Sequence, residues 1–163
     1  MAQSKHELLL QPLLEAVRTH YGERLISVVL FGSVARESAG PGSDVDILIV
    51  ADPLPQGRLK RVAEFEVVES ALAGPLAELA RDGMDVLLSP VFKTSEEVRL
   101  GSPLFLDMVR EGRILFDRDD FMHKYLEALR ASLEALGARR VEYRGSWYWD
   151  LKPGYRKGDV IDL

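Results

Sequence analysis

Apolar residues recur along this chain with two periods, and the switches between the periods mark out its elements. Leu8, Leu9, Leu13, Leu14, Val17 and Tyr21 share helical spacing and predict a first helix over residues 4–21. Gly22 supplies its stop. Leu25 through Phe31 is apolar at nearly every position and rich in β-branched residues, the pattern of a central strand covered on both faces. Gly32-Ser33 closes that run, a short helix is expected from Ser33 to Arg36, and residues 37–42 read as a loop. A second strand runs from Asp44 to Val50 and is broken by Asp52-Pro53-Leu54-Pro55. Residues 57–81 read as helix with an interruption near Gly74-Pro75. A third strand is expected over Met84–Leu88, after a turn at Asp82-Gly83. Residues 94–111 read as helix divided at Pro103, and Arg113–Phe116 as a short fourth strand. A last helix over 118–136 carries Phe121, Tyr125, Leu129, Leu133 and Leu136 on one face. Residues 145–163 form an aromatic tail around Trp147-Tyr148-Trp149 without helical period. The order predicts an α/β chain (α+β in some schemes) with one mixed sheet of about four or five strands and helices mainly on one side. A single domain over 1–163 is expected.

Composition narrows the function classes. Apolar residues make up 47% of the 163, enough for a packed core. No apolar run is long enough to span a membrane. Met1 to Glu7 lacks the layout of a signal peptide, so a cytoplasmic protein is expected. The absence of cysteine excludes disulfides, thiolate zinc sites and thiol nucleophiles. A formal net charge of -5 argues against broad nucleic-acid binding, which needs a basic surface. It leaves a nucleotide open, because a divalent cation can supply the missing positive charge.

The acids that matter sit inside apolar strands. Alternation along a strand puts Asp44 and Asp46 on one face and Val45, Ile47 and Ile49 on the other. Two adjacent carboxylates repel unless a cation lies between them, and Mg²⁺ takes one or two carboxylates together with substrate phosphates. Upstream, Gly32 allows close backbone approach to a phosphate, and the backbone N–H groups and Ser33 hydroxyl can donate to it. Arg36 and Ser43 are further phosphate candidates. Asp85 interrupts another apolar run and is costly there without a partner. If its strand adjoins the Asp44–Val50 strand, three carboxylates converge, as a metal-assisted displacement at phosphorus requires. Taken alone, Asp44 and Asp46 also fit a capped turn after Gly42.

The combined pattern resembles the nucleotidyltransferase superfamily related to DNA polymerase β. It comprises a hydrophobic strand, Gly32-Ser33-Val34-Ala35-Arg36, a spacer from Glu37 to Gly42, Ser43-Asp44-Val45-Asp46, and a later Asp85 between hydrophobic residues. The core motif covers residues 25–90, and the short length is most similar to the minimal nucleotidyltransferase domain proteins. The resemblance implies that Asp44, Asp46 and Asp85 bind Mg²⁺, two ions in all, with Asp85 also helping to deprotonate the attacking hydroxyl. Gly32, Ser33, Arg36 and Ser43 would hold ATP. It implies transfer of a nucleoside monophosphate, by family habit AMP, to a hydroxyl on a protein partner, with a HEPN-type toxin–antitoxin pairing as one context. Two alternatives stand beside it: an aminoglycoside-like small-molecule acceptor, for which a homodimer could supply the cleft, and a non-catalytic antitoxin or binding module. Gly-rich signatures of P-loop and dinucleotide folds are absent. The three histidines, His6, His20 and His123, are expected at the surface or at caps. Asp107, Asp117, Asp119 and Asp120 are expected as solvated helix-end charges, and the tail aromatics as packing rather than base stacking.

Overall fold

The computed structural model describes residues 4–163, so Met1 to Gln3 of the N-terminal stretch discussed above lie outside the described residues. Helix α1 spans Glu7–Tyr21 and passes through a 3-10 turn, Gly22–Arg24, into β1, Leu25–Phe31. The four-residue helix α2, Gly32–Ala35, follows directly, and β2 is Val45–Ala51. Helices α3, Arg58–Ala71, and α4, Ala73–Arg81, precede β3, Leu88–Lys93. Then come α5, Ser95–Leu100, α6, Leu104–Glu111, β4, Arg113–Asp117, and α7, Phe121–Leu136. A hairpin of β5, Arg139–Tyr143, and β6, Ser146–Asp150, completes the regular structure.

The main sheet has the order β3-β2-β1-β4. β1 runs antiparallel to β2 and β4, while β2 and β3 are parallel, so the sheet is mixed. Its two central strands are apolar at both parities, and this decides the layering. Val28, Leu30, Ile47 and Ile49 join Leu13, Val17 and Phe65 in one buried cluster under α1, α3 and α4. Val29, Leu48 and Val50 join Val98, Phe105, Met108 and Met122 in a second cluster under α5, α6 and α7. Helices therefore cover both faces, which corrects the one-sided packing expected from the sequence. A strand with two apolar faces leaves one in water unless both are covered, and each fully buried aliphatic side chain contributes about 1.5–3 kcal/mol.

The third strand also differs from expectation. Met84 and Val86 are buried, so the apolar pattern there was sound, but the segment is irregular and the strand begins only at Leu88. Pro90 lies inside β3 and cannot donate to a ladder. It is tolerated because β3 is an edge strand, with one side free of ladder bonds. The aromatic part of the tail forms a strand, β6, and only residues 151–163 carry no regular structure. Arg144 and Gly145 both have positive φ, 50° and 76°, the two-residue turn whose twist matches a hairpin. His6, expected at the surface or a cap, sits at the N-cap position of α1 but is buried, its Nδ1 3.1 Å from the Ser4 hydroxyl.

Candidate active site

β1 ends, and β2 and β3 begin, at the same end of the sheet. The ladders place Phe31 opposite Asp46 on one side and Ser89 opposite Asp46 on the other. Gly32, immediately after β1, has φ 72°, a conformation that favours glycine. A Cβ built on it would lie 2.1 Å from Asp46 Oδ2. The glycine is thus required twice, by its backbone and by the carboxylate pressed against it. Asp46 is partly buried and Asp44, just ahead of β2, is exposed. Burial pushes the Asp46 carboxyl above the ordinary carboxylate range; hydrogen bonding to Ser89 opposes that, the Asp44 charge adds to it, and the Arg36 charge opposes it. A cation between the two carboxylates would relieve both the burial and the repulsion. The donors are hard oxygens, and two carboxylates with room for phosphate oxygens suit Mg²⁺.

The remaining candidates divide. Arg36 lies at the end of α2, close enough for its charge to act on Asp46. Ser33 contributes its carbonyl to the Ser38 N–H at 3.0 Å, which folds the loop back beside the turn. Ser43 closes that loop: its hydroxyl accepts from the Gly40 N–H at 2.9 Å and its N–H donates to the Gly40 carbonyl at 3.1 Å. Asp85 is exposed and precedes β3, and the residue across from Asp46 is Ser89. Among the described residues no three His, Asp or Glu side chains form a metal-holding group. The expected convergence of three carboxylates is therefore not formed. The cause is register: β3 starts three residues after Asp85, so that residue stands at the same end of the sheet but outside the ladder.

A family model for the nucleotidyltransferase domain matches residues 10–113, most of the sheet and this entire site. The chain belongs to the nucleotidyltransferase domain family. It is 30% identical over 141 residues to a Methanocaldococcus jannaschii protein named as a protein adenylyltransferase, an alignment covering 85% of this chain and 90% of that one. Among solved structures, spectinomycin adenyltransferase from Enterococcus faecialis with ATP and spectinomycin shares the fold, with TM-score 0.52 and 13% identity, over 80% of this chain and 66% of that one. A chain from the complex of tri-AMPylated Shewanella oneidensis HEPN toxin with MNT antitoxin gives TM-score 0.44 and 19% identity, over 79% and 89%.

The α/β fold and the nucleotidyltransferase assignment made from the motif thus hold. No helix among the described residues is long and apolar enough to cross a membrane. A cavity of about 500 Å³ on this nucleotidyltransferase lies elsewhere, lined by Leu100, Leu106, Leu129 and Leu151, and no Asp or Glu lines it. What the sequence did not reveal is a polar cluster built on α6 and the hairpin. Asp107, expected as a solvated charge, accepts from both indoles, Trp147 Nε1 at 3.1 Å and Trp149 Nε1 at 3.0 Å. Asp117, expected likewise, instead accepts from the Met122 and His123 N–H groups at 3.0 and 2.9 Å and caps α7. Glu111 binds Arg140 at 2.6 Å and lies 3.5 Å from Arg36. The only sequence signal was the four-residue spacing of Asp107 and Glu111 on one helix face, which is also the mark of an ordinary solvated stripe.

Proposed function

We propose that residues 1–163 act as one catalytic domain that transfers AMP from ATP to a hydroxyl group on a protein. The observation that supports this most directly is the Asp44–Asp46 pair, with Asp46 held against Gly32 and, among the described residues, making no ion pair. Asp44 and Asp46 would hold Mg²⁺, which when bound supplies positive charge to the polyphosphate. The Gly32-Ser33 turn takes the phosphates at close range, and Arg36 adds a guanidinium to them. Ser43 keeps the intervening loop closed so that Asp44 meets the same volume. The acceptor oxygen attacks the α-phosphorus, a new P–O bond forms, and the P–O bond to pyrophosphate breaks. Asp85, at the same end of the sheet, takes the hydroxyl proton directly or through water. The protein acceptor is supported by the relative named as a protein adenylyltransferase, whose length is 90% covered. A HEPN-type protein, the partner implied by the family resemblance, is the acceptor to test first.

The test is transfer of label from α-labelled ATP with Mg²⁺ to protein in lysate of the source organism, with the Asp44→Ala/Asp46→Ala double variant as control. A labelled protein band that requires both aspartates and is lost with EDTA supports the proposal. A labelled small molecule instead moves the acceptor to the aminoglycoside-like class. Failure of the folded wild type to bind Mg·ATP overturns catalysis in favour of a binding module.

A further inference from the structure

Arg36 is held by residues far in sequence from the motif that contains it. The guanidinium of Arg36 lies 5.0 Å from the Trp147 ring centroid and that of Arg140 lies 4.7 Å from it. Two cations at one ring repel, and Glu111 stands between their charges: Oε1 bonds Arg140 at 2.6 Å, and Oε2 is 3.5 Å from Arg36 Nη1. Asp107 accepts a hydrogen bond from the Trp147 indole N–H and so fixes the ring. The two arginines are held to different degrees. Arg140 has a full charge-assisted hydrogen bond, whereas the Arg36 contact is too long to be one, and Glu111 Oε2 is buried with no hydrogen-bond partner. Among the described residues the Arg36 guanidinium makes no side-chain hydrogen bond, so its donors remain open to an anion while stacking fixes its position.

We propose that Trp147, Glu111 and Arg140 are positioning residues that set Arg36 beside Asp46 for the nucleotide polyphosphate. The C-terminal hairpin is then part of the nucleotide site through Arg36. Trp147 is engaged by two guanidinium groups rather than offered to a base. The proposal rests on the nucleotidyl-transfer function above and adds to it the residues that organise its arginine.

The experiment is a double-mutant cycle on Mg·ATP affinity, measured by titration calorimetry on the full chain. Arg36→Ala is expected to weaken binding about tenfold or more, the scale of a charged hydrogen bond. Trp147→Ala in the wild-type background is expected to weaken it about three- to tenfold, and Trp147→Phe, which keeps a ring, to recover most of that loss. Glu111→Gln, a smaller change that guards against misfolding of the alanine variant, is expected to weaken it as well. In the Arg36→Ala background Trp147→Ala and Glu111→Gln should then change nothing. Equal losses in both backgrounds, or no loss in either, overturn positioning while leaving the transfer reading in place. Absence of Mg·ATP binding by the wild type overturns both.

Discussion

The molecule holds two pairs of acids, and it treats them in opposite ways. Asp107 and Glu111 on α6 are supplied with partners: two indole N–H groups for the first and the Arg140 guanidinium for the second. Asp44 and Asp46 at β2 are supplied with each other, and burial and mutual repulsion raise Asp46. Partnered acids organise structure, since an unpaired buried carboxylate is expensive. An acid left without an ion pair among the described residues in a well-packed strand is a place where the fold bears a cost that a ligand can relieve. The contrast separates the acids that would meet substrate from those that hold the frame.

The largest effect is expected at Gly32. Gly32→Ala forces a Cβ into the Asp46 carboxylate at a positive φ, and overpacking of this kind costs about 1–3 kcal/mol before the backbone strain is added. Loss of transfer together with a lowered denaturation midpoint is the expected result. Asp46→Asn should separate the two quantities: transfer falls on the order of a hundredfold or more, while stability at neutral pH rises. The sign follows from the raised carboxyl. Its folded value lies above its unfolded one, so its contribution favours the fold below the unfolded value and is lost as pH rises through the folded value. Urea melts of Asp46→Asn and wild type should therefore differ at neutral pH and converge in acid.

Asp107→Ala sharpens the other side. It strands two indole N–H groups and should lower stability by about 1–3 kcal/mol, with Mg·ATP affinity reduced only through Arg36. Glu97 belongs with the partnered acids: its hydrogen bonds with Arg61, 2.7 and 3.0 Å, hold it below the usual carboxylate range. Its stabilisation is present above the unfolded value and is lost as pH falls through the lowered folded one. Glu97→Gln should flatten the acid limb of the stability profile and cost about 0.5 kcal/mol at neutral pH, since the pair is partly solvated. The smallest effect is expected at Tyr148, exposed on β6. Tyr148→Thr should shift stability by no more than about 0.5 kcal/mol and leave Mg·ATP affinity unchanged.

Much of this was legible in the chain. β1, α2, β2 and the division at Pro103 fall close to where apolar period and breakers placed them, because burial there follows local alternation. The closeness of Gly32, Asp44 and Asp46 was legible from their spacing, although Asp44 stands just ahead of β2 rather than within it. β3 was not, because its apolar entry residues, Met84 and Val86, are buried without pairing, and its proline is tolerated only at an edge. Asp85, placed within that strand from the sequence, stands ahead of it. Ser89 carried no signal, since its importance is its position across from Asp46.

By itself, then, the sequence determined the chain's membership of a fold class and the residue types available for phosphate and metal chemistry. Both depend on short-range spacing: strand period, helix period and a glycine before an acid. The tertiary structure alone decided which face each helix covers, which residue opposes Asp46, and that α6 and the hairpin reach Arg36 with Glu111, Arg140 and Trp147. The Arg36 contacts with Glu111 and Trp147 join residues more than seventy positions apart, through sheet register and two-sided packing that no local pattern encodes.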